Sequence, residues 1–124
     1  MIEFIKCNYA DEEYLKKHKI FSTADVYFII KNNERCGAIE YRETYEFSLK
    51  IEYLLVFPEF QGNGIGTATV RHLQSLFPAH EIYGEAIPTD ATIAFWDSLD
   101  AEFEMEEEME YYKSSKECIP FTIH

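Results

Sequence analysis

The feature that most constrains this chain is an apolar strand that runs through a glycine-rich turn into an amphipathic helix. The strand ends near Phe57, glycines stand at positions 62, 64 and 66, and the helix is predicted over residues 64–77. The first amides of a helix have no partner within it and lie at the positive end of its dipole. Glycines leave that backbone open to a ligand. The segment therefore predicts an anion cradle suited to a phosphate or a pyrophosphate.

The same helix carries one apolar stripe, as a helix that packs against a sheet requires. We expect the side chains of this stripe to face the core. They are Ile65, Ala68 or Thr69, Val70, Leu73, Leu76 and Phe77.

The glycine spacing excludes two well-known phosphate loops. A P-loop needs Lys and then Ser or Thr after its last glycine, whereas Gly66 is followed by Thr67 and Ala68. A dinucleotide fingerprint counted from Gly62 needs Gly or Ala where Thr67 stands. A turn that only starts a helix is the plain alternative. Three glycines within five residues at a strand-to-helix junction favour a ligand site instead.

The pattern that fits is Gln-x-x-Gly-x-Gly at Gln61, Gly64 and Gly66, preceded by Leu-x-Val-x-Pro-Glu at 54–59. This pattern resembles the acetyl-CoA-binding motif of the GNAT acetyltransferase family. The resemblance implies acetyl-CoA as the acyl donor substrate and an amine as the acceptor. It also implies a GNAT-like α/β fold, with a central, mostly antiparallel sheet of six or seven strands flanked by helices.

Periodicity and turn residues predict a mixed α/β order in a single domain over residues 1–124. Helices are predicted at 11–19, 64–77 and 90–99, the last with Thr89 as its N-cap. The last strand is expected at a sheet edge because it contains Pro120. The order matches the GNAT topology along the chain, with a shortened region after the first strand. Strands are predicted at 2–8, 26–31, 35–42, 45–57, 81–86, 102–112 and 118–123.

Charge and hydropathy exclude some partners. The 124 residues carry a formal net charge of −12, which argues against nucleic acid because its phosphates would be repelled. The charge permits attraction of a cationic amine, although solubility explains it at least as well. Apolar runs are too short for a membrane span, and the first residues lack the pattern of a signal peptide.

The cysteines indicate the redox compartment. Cys7, Cys36 and Cys118 are odd in number and widely spaced, so they offer neither a disulfide framework nor a zinc pattern. We therefore expect a cytoplasmic protein with reduced thiols and no metal site. Nucleic acid and membrane are not expected as partners.

The GNAT family also tends to carry a later helix with Asn at its start, Tyr inside it and Gly at its end. In this chain the matching positions hold Thr89, Trp96 and Asp100. Thr89 still offers a hydroxyl, and Asp100 adopts the helix-ending conformation less easily than glycine does. An indole N–H does not release a proton at working pH, so Trp96 cannot replace the family's tyrosine as an acid.

The resemblance also implies a set of cofactor-binding residues. Backbone at the strand end pairs with the pantetheine arm, and the amide of Val56 is the expected donor to the thioester carbonyl. Amides of the glycine turn hold the pyrophosphate. The full set is Leu55, Val56, Phe57, Gln61, Gly62, Asn63, Gly64, Ile65, Gly66, Thr67, Thr89 and Trp96.

Acetylation of an amine needs a base, because an ammonium must lose its proton before it attacks. Glu52 shares a strand face with positions 54 and 56, although an exposed strand glutamate shows the same pattern. Glu85, at the end of the neighbouring strand, is the other candidate base. Tyr53 and Tyr83 are the tyrosines available to replace the missing phenol, and water is a further proton source for the thiolate.

Glutamates alternate through the predicted strand 102–112, at positions 102, 104, 106, 108 and 110. A strand face of carboxylates would suit a polyamine, an aminoglycoside or a lysine-rich tail. A solvated edge face is the favoured interpretation, because charges keep sheet edges from aggregating.

The sequence thus predicts an acetyl-CoA-dependent N-acetyltransferase that acts on a primary amine of a small molecule or a protein, by direct attack in a ternary complex. The alternative is a non-catalytic acyl-CoA-binding or protein-interaction module on the same fold, which Thr89 and Trp96 favour. The acceptor groove is expected around residues 17–25 and the C-terminal hairpin. Exposed aromatic residues near Tyr111, Tyr112 and Phe121 would suit a homodimer.

Overall fold

The computed structural model describes residues 1–104 and 109–124. In these ranges the helices are α1 (Glu12–Lys17), α2 (Ile65–Leu76), α3 (Asp90–Asp97) and α4 (Met109–Ser115). None of them is long and apolar enough to cross a membrane. The strands of the same ranges are β1 (Ile2–Lys6), β2 (Val26–Lys31), β3 (Glu34–Tyr45), β4 (Ser48–Val56), β5 (Glu81–Ala86), β6 (Glu102–Phe103) and β7 (Ile119–Ile123).

The strands form one seven-stranded sheet in the order β1-β2-β3-β4-β5-β7-β6. The pairs β1–β2, β2–β3, β5–β7 and β6–β7 are antiparallel. β4 and β5 are parallel, with Ser48–Ile51 in register with Glu81–Gly84. The predicted α/β class and the mostly antiparallel sheet are confirmed, and the sheet has the larger of the two expected strand numbers.

The expected edge position of the last strand is wrong, because β7 lies between β5 and β6. The carbonyl of Pro120 accepts the N–H of Glu104 at 3.0 Å. In antiparallel pairing the N–H and C=O of one residue face the same neighbour. The missing N–H of Pro120 therefore faces the chain just beyond the two-residue β6, and the β5–β7 ladder loses no hydrogen bond.

The strand predicted over 45–57 is wrong at its start. β3 extends to Tyr45, and β4 begins only at Ser48 after a tight turn in which Phe47 has a φ of 60°. Tyr45 and Phe47 are 74% and 53% exposed. The apolar alternation thus continues through the turn, so the sequence pattern does not mark it. The hairpin between the predicted strands 26–31 and 35–42 turns at Asn32 and Asn33, which both have positive φ.

The strand predicted over 102–112 is wrong beyond Phe103. β6 ends there, and α4 begins at Met109, so the backbone of Glu110 is helical. Positions 106 and 108 of the expected carboxylate face lie outside the described residues. Because a strand face needs extended chain throughout, the glutamates from 102 to 110 do not form one. Glutamate is also a good helix former, which the alternation of charges conceals.

Backbone contacts group the chain into two compact units. The first unit contains residues 1–42 and 52–78, and the second contains residues 43–51 and 79–124. The single domain expected over 1–124 stays a prediction.

In the first unit, apolar side chains form a buried cluster, against which Tyr14, Tyr53 and Leu55 pack. Elsewhere in the unit, α2 buries most of the predicted stripe, but Leu76 is 49% exposed and was wrongly assigned to it. Phe77 packs inward as predicted, with its ring 6.0 Å from that of Tyr41. The buried cluster consists of Cys7, Leu15, Ile20, Val26, Phe28, Ile30 and Ala38.

A bulge in β3 brings the backbones of β3 and β4 unusually close. Ile29 pairs with Gly37 while Ile30 pairs with Arg35, so Cys36 is the extra residue. The carbonyl of Cys36 accepts the N–H of Phe57 at 2.8 Å. One residue on, a Cβ at Gly37 would lie 2.1 Å from the carbonyl oxygen of Leu55. Only glycine fits there, and the contact fixes the end of β4.

In the second unit, α3 begins as predicted, because the hydroxyl oxygen of Thr89 accepts the N–H of Thr92. Trp96 is buried and stacks on Phe121, with ring centroids 4.1 Å apart. Phe121 is itself buried, so it does not contribute to an exposed aromatic surface as expected. Tyr111 is 56% exposed.

We predict that Gly37→Ala destabilises the protein by ~3 kcal/mol, because the added methyl group must push apart the backbones of β3 and β4. Gly62→Ala is the control. A Cβ at Gly62 meets nothing within 4 Å, so only its φ of +83° carries a penalty, about 1 kcal/mol. Urea unfolding measures both changes. Equal losses in the two variants would contradict the close contact.

Candidate functional site

The loop between β4 and α2 is held in shape by its own side chains. The Nε2 of Gln61 donates to the carbonyl of Val56 at 3.0 Å. The Nδ2 of Asn63 donates to the carbonyl of Phe60 at 3.2 Å. Both side chains therefore fold back on the loop that carries them, and the loop presents backbone to a ligand.

The glycines of this loop are required by backbone conformation. Gly62 and Gly64 have φ values of +83° and +73°, in the region that side chains disfavour. A Cβ built on either residue would meet no protein atom within 4 Å. The space beside both glycines is thus open. Gly66, the third glycine, lies in the first turn of α2.

The start of α2 presents unpaired amides to that open space. The N–H of Ala68 makes the first bond of the helix, to the carbonyl of Gly64 at 3.0 Å. The amides of Ile65, Gly66 and Thr67 precede it and have no acceptor within the helix. No side chain caps this end, because the N-cap residue is Gly64. Together with the positive end of the helix dipole, these unpaired amides favour an anion in the open space before α2.

The cradle begins after Gln61. The amide of Gln61 closes the short turn Pro58–Phe60 by donating to the carbonyl of Pro58 at 3.3 Å. The predicted ligand contact of Gln61 therefore rests on its side chain, which itself donates to Val56. Binding roles for Leu55, Val56 and Phe57 stay predictions, and the amide of Phe57 is already bonded to Cys36.

The candidate base Glu52 carries an ion pair. Its Oε1 lies 2.9 Å from a guanidinium nitrogen of Arg42, and its side chain is 24% exposed. A nearby carboxylate, Glu40 on β3, was missed by the sequence analysis. Burial and the charge of Glu52 raise the pKa of Glu40, and Asp25 adds to this effect. The sequence signal that could have found Glu40 is its place on the strand. It stands two residues after Ala38, which is fully buried, so the two residues share a face of the sheet.

Tyr53, the candidate acid, has its hydroxyl in the interior. That oxygen is buried and has no hydrogen-bond partner in the described part of the chain. Burial first, and then the charges of Glu40 and Cys7, raise the pKa of Tyr53. Burial likewise raises the pKa of the Cys7 thiol to about 11. Both groups remain protonated at neutral pH.

The other predicted site residues belong to the second unit. Glu85 is exposed on β5, in register with Pro120. The hydroxyls of Tyr83 and Thr44 share a hydrogen bond of 2.5 Å. The hydroxyl of Thr89 caps α3. Trp96 is 6% exposed, so its indole packs in the interior. Cofactor-binding roles for Thr89 and Trp96 stay predictions.

Asp100 takes the place of the glycine that ends the corresponding helix in the family pattern. Its φ is 61°, the left-handed conformation that such an end requires. The N–H of Ala101 donates to the carbonyl of Trp96, and that of Asp100 to Asp97. The helix therefore ends in a Schellman motif without glycine.

Comparison with known proteins agrees with the resemblance to the GNAT family that the sequence motif indicates. The model of the acetyltransferase (GNAT) family matches residues 3–101, and the chain belongs to this family. A search of curated protein sequences found no match.

Solved structures share the fold at low sequence identity. Arabidopsis thaliana Naa50 in complex with the bisubstrate analogue CoA-Ac-MVNAL superposes with a TM-score of 0.69 at 17% identity, over 99% of this chain and 98% of that one. The Bacillus subtilis N-acetyltransferase YlbP in complex with coenzyme A gives 0.67 at 17%, over 100% and 95%. The ribosomal-protein-S18-alanine N-acetyltransferase from Escherichia coli gives 0.72 at 12%, over 99% and 93%.

The raised pKa of Cys7 predicts a loss of stability at alkaline pH. The thiol titrates near 9 in the unfolded chain and near 11 in the folded protein. Between these values the unfolded chain has lost the proton that the folded protein keeps. The free energy of unfolding therefore falls as pH rises, by roughly 1–3 kcal/mol from this group.

Urea unfolding from pH 8 to 11 checks this expectation. Cys7→Ala should be less stable than the unmodified protein at pH 8 and should show a shallower fall above pH 9. Cys118→Ala is the matched control, because Cys118 is exposed, and its pH slope should equal that of the unmodified protein. Identical slopes in all three proteins would show that Cys7 does not carry the effect.

Proposed function

We propose that this protein is an acetyl-CoA-dependent N-acetyltransferase that moves an acetyl group to a primary amine by direct attack in a ternary complex. The observation that carries the proposal is the uncapped start of α2 beside Gly62 and Gly64, where a Cβ would meet only open space. Family membership supports the reaction class. Coenzyme A in the similar YlbP structure and a coenzyme A analogue in the Naa50 structure support the donor.

The donor would be held along the path from β4 to α2. The amides from Gly62 to Thr67 would bind its pyrophosphate, because they are unpaired and lie at the positive end of α2. The backbone of Val56 would pair with the pantetheine arm, because the carbonyl of Leu55 is turned toward Gly37 on β3. In this arrangement the amide of Val56 donates to the thioester carbonyl, and that bond strengthens as negative charge develops on the oxygen.

The reaction needs no covalent intermediate with the protein. The amine nitrogen forms a bond to the acetyl carbon, the carbon–sulfur bond breaks, and the amine proton passes to a base. Holding both substrates together supplies much of the acceleration. Bound donor and acceptor, a placed base and a carbonyl donor are sufficient for this chemistry.

We propose that one of the two candidate bases, Glu52 in the first unit or Glu85 in the second, takes the proton of the amine. Glu52 forms an ion pair with Arg42, with its Oε1 2.9 Å from a guanidinium nitrogen. Glu85 is exposed and makes no ion pair within the described residues. It is therefore available to accept the proton of an incoming ammonium.

Water is the proposed proton source for the leaving thiolate. The hydroxyl of Tyr53 is buried and its pKa is raised, which makes it a weak and unreachable acid. The hydroxyl of Tyr83 is already hydrogen-bonded to that of Thr44. Trp96 offers only an indole N–H. Because none of these described residues offers a tyrosine hydroxyl positioned to protonate the thiolate, a second candidate function is also favoured. It is a non-catalytic acyl-CoA-binding module.

We further propose that the protein works in the cytoplasm. Its three cysteines, Cys7, Cys36 and Cys118, are all free thiols, the state that a reducing compartment maintains. A homodimer that uses the exposed Tyr111 stays a prediction.

Gly64→Val should abolish acetyl-CoA binding, because two γ-carbons would occupy the open space where the diphosphate is proposed to lie. The control is Asn33→Val, which places the same side chain at another positive φ, 63°, in the β2–β3 hairpin. Both variants should lose about 1–2 kcal/mol of stability to backbone strain. Calorimetric titration should show that only Gly64→Val loses affinity. Unchanged affinity in a folded Gly64→Val protein would remove the basis of the cradle assignment.

Glu85→Gln should lower turnover by roughly 10²- to 10⁴-fold near pH 7 if Glu85 is the base, with acetyl-CoA affinity unchanged. Activity should recover partly at higher pH, where the free amine is abundant. Glu52→Gln is the comparison, and thiol release against a panel of amines is the readout. A larger loss in Glu52→Gln would assign the role of base to Glu52. An unmodified protein that binds acetyl-CoA but acetylates no amine would favour the non-catalytic module.

A further inference from the structure

The imidazole of His18 is held rigidly at the end of α1. Lys19 follows it with a φ of 63°, and the amides of Lys19 and Ile20 donate to the carbonyls of Lys16 and Leu15. These two bonds form a Schellman motif, with His18 as the C-cap. Ile20 and Leu15 then pack in the same buried cluster. The backbone of His18 is therefore fixed from both sides.

Its side chain is fixed as well, by aromatic stacking. The imidazole lies parallel to the ring of Phe57, with centroids 3.9 Å apart and 14° between the planes. The ring of Tyr14 lies 5.3 Å from it. Phe57 is 1% exposed, so one face of the imidazole rests on the interior. Stacking requires an aromatic ring at position 18 but does not require ring nitrogens.

The ring nitrogens of His18 are free to bind a ligand. Within the described ranges neither nitrogen has a hydrogen bond or an ion pair, and neither is a buried atom without a partner. They therefore reach solvent. The ring that carries them is stacked on Phe57, the residue next to Val56, whose amide is the proposed donor to the thioester carbonyl.

We propose that His18 binds the acceptor, with an imidazole nitrogen accepting a hydrogen bond from the primary amine beside the end of β4. This inference rests on the proposed function, because it uses the thioester position assigned to Val56. His18 would therefore select acceptors whose nucleophilic atom carries an N–H group. Since the ring is held in place before binding, little conformational freedom is lost when the bond forms.

The test uses His18→Phe, which keeps an aromatic ring on Phe57 and removes both nitrogens. Steady-state thiol release, with the amine that the unmodified protein acetylates best, should show a KM for the amine raised roughly 3- to 10-fold. kcat, acetyl-CoA affinity and melting temperature should stay unchanged. His18→Asn and His18→Gln place an amide near one or the other nitrogen position. Recovery of KM in one of them would identify the nitrogen.

The outcomes separate this inference from the proposed function. Thiol release with an equal KM in His18→Phe and the unmodified protein would overturn the role of His18 alone. A parallel loss of acetyl-CoA affinity would also overturn it, because the ring would then act on the donor. If His18→Phe does not fold, the near-isosteric pair His18→Asn and His18→Leu gives the same comparison. No thiol release from the unmodified protein with any amine would overturn both proposals.

Discussion

The close approach of β3 and β4 at Gly37 is the constraint on which the rest of the first unit depends. A Cβ there would lie 2.1 Å from the carbonyl oxygen of Leu55, so adding a single methyl group at this position would cause a clash. The adjacent bulge directs the carbonyl of Cys36 to the amide of Phe57. Together these contacts fix where β4 ends. The glycine loop, the start of α2 and the ring under His18 all take their positions from that end.

The anion cradle follows from the same constraint. A helix start binds an anion only if its amides are unpaired and the space before them is open. Here Gly64 provides no cap, and the side chains of Gln61 and Asn63 are turned back onto the loop. Backbone alone therefore faces the open space before α2. Backbone geometry tolerates wide changes in sequence, and solved structures share this fold at 12–17% identity.

Three residues depart from the family pattern, and each departure has a different structural consequence. Asp100 adopts the left-handed conformation of the glycine it replaces, and Thr89 retains a capping hydroxyl. Trp96 does not replace the tyrosine of the family pattern in the same way, because its indole is buried against Phe121 and offers no acidic proton. Two of the three departures thus preserve the backbone framework of the family pattern, while the groups proposed for proton transfer are Glu52 or Glu85 and water.

The sequence by itself determined the glycine loop, the order of elements as far as β5 and the cap of α3, because these depend on local backbone preferences and on periodicity. It did not show where β3 ends, since exposed Tyr45 and Phe47 continue the alternation through the turn. It also missed α4, because alternating glutamates are compatible with both strand and helix. Only the tertiary structure paired Glu52 with Arg42, placed Glu40 beside them and stacked His18 on Phe57. Those contacts join residues distant in sequence, and no local pattern records which side chains folding will bring together.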